Sequence, residues 1–366
     1  MNATNHTNDH SLATRRATTK GMKIFYAVQA TGNGHISRAM ELLPYLERYG
    51  QVDIFLSGAN NSLALDGTVK YRSKGLSLFY TSTGGLHYSE IVRKFSPLRI
   101  WKEVRDLPVE KYDLVLNDFE SITAMACALK KVPSVNFGHQ ASFVSPKVPR
   151  PVHKEWMGEF ILRNYARASQ YIGLHFKQYD DFILPPVIKK DILQADPIDK
   201  GHITVYLSSF SDRVVAAHLN PLADHRFQVF SKEVAQPVQV GNITFIPVSK
   251  NAFNKSLITC KAIITGAGFE TPAEALYLGK KLLVIPIRGQ YEQFCNAAAL
   301  EKMGVPVVQT LDAQFAPVFN TWMEQKKRPT LKLDHSTESI VSYVMHNCTD
   351  RQKNSLDLLY PEFVFN

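Results

Sequence analysis

The chain has 366 residues, 45% of them hydrophobic and 20% charged, with a formal net charge of +9. That length suggests about two domains, and the ordinary globular composition excludes a fibrous or wholly disordered protein. No apolar run approaches the ~20 residues that cross a bilayer; the excess of cations suits acidic partners such as phosphates or anionic lipid heads, and nothing in the sequence reads as a nucleic-acid motif.

Met1 to Gly21 is rich in Asn, Thr and His and has no apolar core of a secretory signal, so residues 1–21 are expected to be a disordered tail. Strand-like runs and helical patterns then alternate. They read strand Lys23–Gln29, helix Ser37–Glu47, strands Val52–Ser57 and Leu76–Tyr80, and a basic helix Pro97–Arg105. Strand Leu114–Asn117, helix Ser121–Leu129, strand Ser134–Phe137, helix Glu155–Ala168 and strand Tyr171–Leu174 complete a domain over 22–183. The Pro185-Pro186 pair cannot continue a helix or a central strand, so 184–200 is a linker. A second domain over 201–345 has strands Ile203–Leu207, Arg226–Phe230, Ile243–Ile246, Ala262–Thr265, Lys281–Ile285 and Pro306–Val308. Residues 346–366 are expected to pack back on the first domain as a tail or helix. The fold class is α/β, with two doubly wound Rossmann-like domains facing a cleft and ligands at the carboxyl ends of the strands. Cys127, Cys260, Cys295 and Cys348 fit no metal or disulfide spacing. Buried thiols in a reducing, cytoplasmic compartment are expected.

The first strand runs into Ala30-Thr31-Gly32-Asn33-Gly34-His35-Ile36-Ser37-Arg38. Gly32 and Gly34 allow a tight turn, and the helix that follows offers an anion site. The dinucleotide fingerprint fails here: Ser37 stands at its third glycine, and the second strand ends Ser57-Gly58, with its Asp53 at the beginning. His35, at the mouth of the loop, reads either as a helix cap or as a general base, since imidazole accepts a hydroxyl proton near neutral pH. Asp118, ending a neighbouring strand, reads either as the N-cap of the helix at Ser121 or as the carboxylate that orients His35. His139 and Gln140 follow another strand, and either contact a substrate or order the loop.

In the second domain Ala262–Thr265 leads into Gly266-Ala267-Gly268-Phe269-Glu270-Thr271-Pro272-Ala273-Glu274. A second glycine turn thus opens a second helix and a second anion site. Thr271 and Glu274 have capping-box spacing; alternatively, Glu274 accepts the hydroxyls of a ribose. Glu292, Gln293 and Asn296 open a further helix, and acid and amide side chains together can hydrogen-bond several hexose hydroxyls.

The segment from Ile264 to Pro286, followed by Gln290-Tyr-Glu-Gln-Phe-Cys-Asn-Ala, resembles the donor-binding segment of GT-B glycosyltransferases, both MurG-like enzymes and UDP-glycosyltransferases. The Gly32-x-Gly34-His35 loop and Asp113-Leu-Val-Leu-Asn-Asp118 resemble the amino-terminal half of these enzymes. The resemblance implies a GT-B architecture and inverting transfer from a UDP-sugar, with no cofactor and no required metal. It places Gly266, Gly268 and Thr271 on the diphosphate, Glu274 on the ribose, and Glu292 with Gln293 on the sugar. His35 matches the base and Asp118 its partner; Gly32, Gly34, His139 and Gln140 fall on the acceptor side. The plant-type His-Cys-Gly opening is absent, and Glu292 stands where the family often has Asp. A lipid-linked acceptor is a further expectation, because MurG-like enzymes act on such substrates. With it goes peripheral contact of the stretch Arg93–Arg105 with an anionic membrane, in which Ile100, Trp101 and Val104 share one side of a helix. Two rivals share the architecture: a UDP-sugar 2-epimerase using Asp118 and Glu120, and a non-catalytic sugar-nucleotide-binding protein.

Overall fold

A computed structural model describes residues 21–30, 33–58, 69–75, 96–326, 328–333 and 335–352. The expectations placed on the tail at 1–20, on Gly32, on Leu76–Tyr80, on Arg93–Phe95 and on 353–366 lie outside these residues.

Strands Met22–Gln29 (β1), Gly50–Ser57 (β2), Val69–Ser73 (β3), Leu114–Asp118 (β4), Val135–Gly138 (β5), Gln170–Leu174 (β6) and Ile183–Leu184 (β7) form one sheet. Its order is β3-β2-β1-β4-β5-β6-β7, and every pairing is parallel. Strands His202–Tyr206 (β8), Arg226–Ser231 (β9), Val238–Val240 (β10), Ile243–Pro247 (β11), Ala262–Thr265 (β12) and Lys281–Val284 (β13) form the other, in the order β10-β11-β9-β8-β12-β13. It is parallel except for the β10–β11 pair. The helices that matter for the site are Asn33–Leu46 (α1), Pro97–Asp106 (α2), Ser121–Lys130 (α3), Trp156–Asn164 (α4), Lys190–Leu193 (α5), Asp212–Leu219 (α6), Lys250–Thr259 (α7), Glu270–Tyr277 (α8), Tyr291–Lys302 (α9), Phe315–Glu324 (α10) and Thr337–Gln352 (α11).

The two-residue period of a strand divides the core of the first sheet. Ile24, Tyr26, Val28, Leu114 and Leu116 join Leu42 and Leu46 of α1 and Ile340 and Val344 of α11. Phe25, Ala27, Phe55 and Val115 join Ile100 and Val104 of α2 and Ile122 and Ala126 of α3. Strands covered on both faces read as continuous apolar runs, which is why β1 and β4 stood out in the sequence.

Some elements differ from expectation. β3 and the β10 hairpin arm are partly polar or exposed edge strands with no apolar run to announce them. Pro306–Val308 is no strand: it pairs with Val284 through two backbone hydrogen bonds, and Pro306 has no N–H to extend the ladder. α11 begins at Thr337, so it straddles the boundary expected at 345 and packs on α1 of the first domain. The four cysteines are buried.

α2 corrects the expected face. Ile100 and Val104, one turn apart, pack on the sheet, whereas Trp101 is 57% and Leu98 83% exposed. Neighbouring residues on a helix point about 100° apart, so Trp101 leaves the Ile100 face and joins Leu98, Lys102 and Arg105 outside. Among the described residues no helix is long and apolar enough to cross a membrane.

Candidate active site

Strand order reverses between β1 and β4, and this opens a crevice at their carboxyl ends. α1 starts at Asn33, so Gly34 and His35 lie in its first turn, and His35 and Arg38 share one helix face. β4 is buried along its whole length and delivers Asp118 to the crevice. The chain then turns sharply. Phe119 has φ 55°, a left-handed conformation that costs a non-glycine residue on the order of 1–3 kcal/mol. The Asn117 amide closes the turn: its Nδ2 donates to the Glu120 carbonyl at 2.8 Å and its Oδ1 accepts from the Glu120 amide at 2.6 Å. Glu120 is then the N-cap of α3, accepting from the amides of Ile122 at 2.9 Å and Thr123 at 2.6 Å. Asp118 therefore does not cap α3, and the capping alternative falls to Glu120.

His35 Nδ1 lies 2.8 Å from Asp118 Oδ1. A carboxylate accepts and cannot donate, so the pattern assigns the proton to Nδ1 and leaves a lone pair on Nε2. Gln140 Nε2 faces that lone pair at 3.4 Å and donates to Glu292 Oε2 at 2.9 Å. Arg38 holds the other side of Asp118: Nη2 donates to Oδ1 at 2.8 Å and to Oδ2 at 2.9 Å, and Nε donates to Oδ2 at 3.1 Å. Burial alone would raise the Asp118 carboxyl, but Arg38 and His35 outweigh it and hold Asp118 below its ordinary value. Arg38 also donates to Glu270 at the start of α8, across the cleft.

His139 and Asn296 join the two walls. His139 Nδ1 bonds the Leu174 carbonyl and Nε2 the Asn296 side chain, both at 2.8 Å, and the ring stacks on Phe269 at 3.9 Å. Asn296 Nδ2 donates to the Ala267 carbonyl at 3.1 Å. Both side chains are buried, and burial depresses the His139 imidazole. Asn296, expected among the hexose ligands, thus spends both ends of its amide inside the protein.

In the second domain the strand order reverses between β8 and β12, and the Gly266–Gly268 loop follows β12. A Cβ at Gly268 would meet no atom within 4 Å, so this backbone is open to a ligand. α8 begins at Glu270 with Phe269 as N-cap and no side-chain cap; Thr271 already lies inside the helix, so the Thr271–Glu274 capping box does not form. Glu274 is buried beneath Lys189 of the linker, whose Nζ donates to Oε2 at 3.0 Å. Burial pushes the Glu274 carboxyl up, against the pull of Lys189. Gln293 is folded on its own loop, accepting from the Ile287 amide at 3.0 Å and donating to Gln290 Oε1 at 2.9 Å. Gly34, Ser37, Lys189, Tyr206, Asn254 and Thr271 line a cavity of about 120 Å³ between the domains. Small-molecule sites run to roughly 300–1,000 Å³, so a nucleotide-sized ligand requires the walls to part or side chains such as Lys189 and Glu270 to swing away.

The family model described as Glycosyl transferase family 1 matches residues 22–322. The chain belongs to that family. It is a glycosyltransferase with the GT-B architecture, two Rossmann-like domains across a cleft. SnogD from Streptomyces nogalater has a similar structure at TM-score 0.51, with 14% identity over 89% of this chain and 99% of that one. MurG from Acinetobacter baumannii gives 0.53, with 15% identity over 89% and 99%. UGT2 from Phytolacca americana, complexed with UDP-2-fluoroglucose and pterostilbene, gives 0.55, with 13% identity over 91% and 95%. No curated protein matches the chain. In this glycosyltransferase the sequence-predicted His35, Asp118, Gln140 and Glu292 come together; the Gly266–Gly268 loop meets the first domain through Ala267, Asn296 and His139. Sequence reasoning missed Arg38, Glu270 and Lys189, whose partners lie 80 or more residues away, and Phe119, whose left-handed backbone leaves no compositional mark.

Proposed function

We propose that the enzyme moves a sugar from a nucleotide-diphosphate donor, UDP by preference, to an acceptor hydroxyl with inversion at the anomeric carbon. The observation that carries this reading is the His35–Asp118 contact of 2.8 Å at the mouth of the first crevice, together with the open backbone at Gly268. His35 Nε2 takes the acceptor's proton as its oxygen bonds to the anomeric carbon and the bond from that carbon to the diphosphate breaks. Asp118 stabilises the imidazolium. The leaving diphosphate's charge falls on the Gly266–Gly268 amides, Thr271 and the amino terminus of α8. Glu274 turns from Lys189 to the ribose, and Glu292 and Gln293 hold the sugar. UDP as donor is supported by the UDP-2-fluoroglucose in the Phytolacca americana UGT2 structure. Product analysis on a panel of UDP- and GDP-sugars tests the reading: free UDP released only when an alcohol acceptor is present is the expected result. An isomerised donor overturns it in favour of a 2-epimerase, a reaction that could no longer use Glu120 as a free carboxylate.

The outward face of α2 supports a membrane-bound, lipid-linked acceptor. Leu98 and Trp101 stand exposed beside exposed Lys102 and Arg105, and each cation contributes about 1 kcal/mol near an anionic surface. Anionic vesicles at low salt are expected to sediment the protein, less so with Trp101→Ala and Lys102→Ala combined. Wild type left in the supernatant would mean a soluble acceptor.

A further inference from the structure

The Arg38 side chain is 2% exposed and grips Asp118 through both carboxylate oxygens. Nη2 also stands 3.0 Å from His35 Nδ1. Its remaining nitrogen reaches Glu270, which belongs to the other domain. Two glycines make room for this cluster: a Cβ at Gly138 would fall 2.5 Å from Asp118 Oδ1, and a Cβ at Gly34 would fall 2.5 Å from Glu270 Oε2.

We propose that Arg38 is a positioning residue for the His35–Asp118 dyad, and that Glu270, reaching from the second domain, supplies the charge that balances Arg38 when the dyad takes up a proton. The proposal rests on the assignment of His35 as the base. Arg38 cannot give up its proton. With His35 neutral, the Arg38–Asp118–Glu270 set carries one net negative charge, and a proton on His35 brings it to zero. Without Glu270 the same step leaves a net positive charge among buried groups, which is disfavoured. Glu270 stands at the start of α8 in the second domain, so this compensating charge comes from across the cleft. The other charged and titratable groups around His35 are Glu292 on α9, relayed through Gln140, the buried His139 beside it, and Tyr26 on β1 next to Arg38 and Asp118.

The test follows the His35 ring by NMR in the full chain without ligand, using ring-labelled histidine and His35→Gln for assignment. Glu270→Gln is expected to lower the His35 titration midpoint by about one pH unit and Arg38→Met to raise it by a similar amount. The double variant returns it close to wild type. Arg38→Lys keeps the charge and leaves the midpoint near wild type, which separates charge from packing. Midpoints equal to wild type in Glu270→Gln and Arg38→Met overturn the proposal. Glu270 is partly exposed, so Glu270→Gln alone decides the matter should Arg38→Met lose cooperative melting. The readout needs no substrate. Normal turnover in His35→Ala would remove the base assignment, whereas unmoved midpoints with an inactive His35→Ala would sink this inference alone.

Discussion

The crevice between β1 and β4 and the crevice between β8 and β12 sit at equivalent points of two similar sheets, yet they are finished differently. In the first, Asp118 already has His35 and Arg38, and Gln140 already bridges His35 and Glu292. In the second, Gly268 faces open space, and Glu274 and Gln293 are engaged with neighbours that a ligand would have to replace. Under the proposed function the contrast separates two tasks. Groups that move a proton gain most from being fixed before substrate arrives, because their reorganisation then costs nothing during the reaction. Groups that admit and release a nucleotide gain from exchangeable partners.

The sharpest way to break this contrast is His35→Ala. Turnover is expected to fall by about 10²–10⁴, while UDP affinity by calorimetry stays near wild type because the second domain is untouched. Near-normal turnover would erase the division of labour. Asp118→Asn comes next: it leaves the buried Arg38 facing an amide, and a buried pair broken on one side costs about 3–5 kcal/mol at pH 7 in denaturant melts. Since the Asp118 carboxyl is held below its ordinary value, its stabilisation is full above roughly pH 4 and is lost as pH falls through the lower folded-state value. The gap between wild type and variant should therefore close in acid; a gap that persisted there would assign the loss to packing. Glu274→Ala probes the other crevice. Charge-assisted hydrogen bonds of about 1.5–3 kcal/mol predict UDP binding weakened by about tenfold to a hundredfold, with His35 chemistry intact; unchanged UDP affinity would leave Glu274 as no more than the partner of Lys189. The smallest expected effect is that of Gly138→Ala, whose new methyl would crowd Asp118 Oδ1 at 2.5 Å. A cost of about 1–3 kcal/mol should appear as lower stability and turnover, and calorimetry should find UDP affinity unmoved.

Much of this contrast was legible in the sequence, for physical reasons. Strands buried on both faces, such as β1, β4 and β12, write their positions as apolar runs, and a polar residue ending such a run, as Asp118 does, points to a crevice. Glycines followed by a helix mark the two loops. Exposed or partly polar edge strands such as β3 and β10 leave no such trace. Nor do pairings between distant segments: nothing near Arg38 indicates Glu270, and nothing near Lys189 indicates Glu274. The capping alternative for Asp118 fails for a local reason. Phe119 adopts a left-handed turn that shifts the cap of α3 from Asp118 to Glu120, and one residue of shift changes which carboxylate is free for chemistry.

The placement of α11 has a bearing on how the molecule is made. Leu42 and Leu46 of α1 are covered by Ile340 and Val344, which leave the ribosome only after the second domain has been synthesised. At about 5–20 residues per second, that apolar face of the nascent first domain stays bare for on the order of tens of seconds. During that interval it is a surface for chaperones to hold, and for neighbouring nascent chains to mistake for their own.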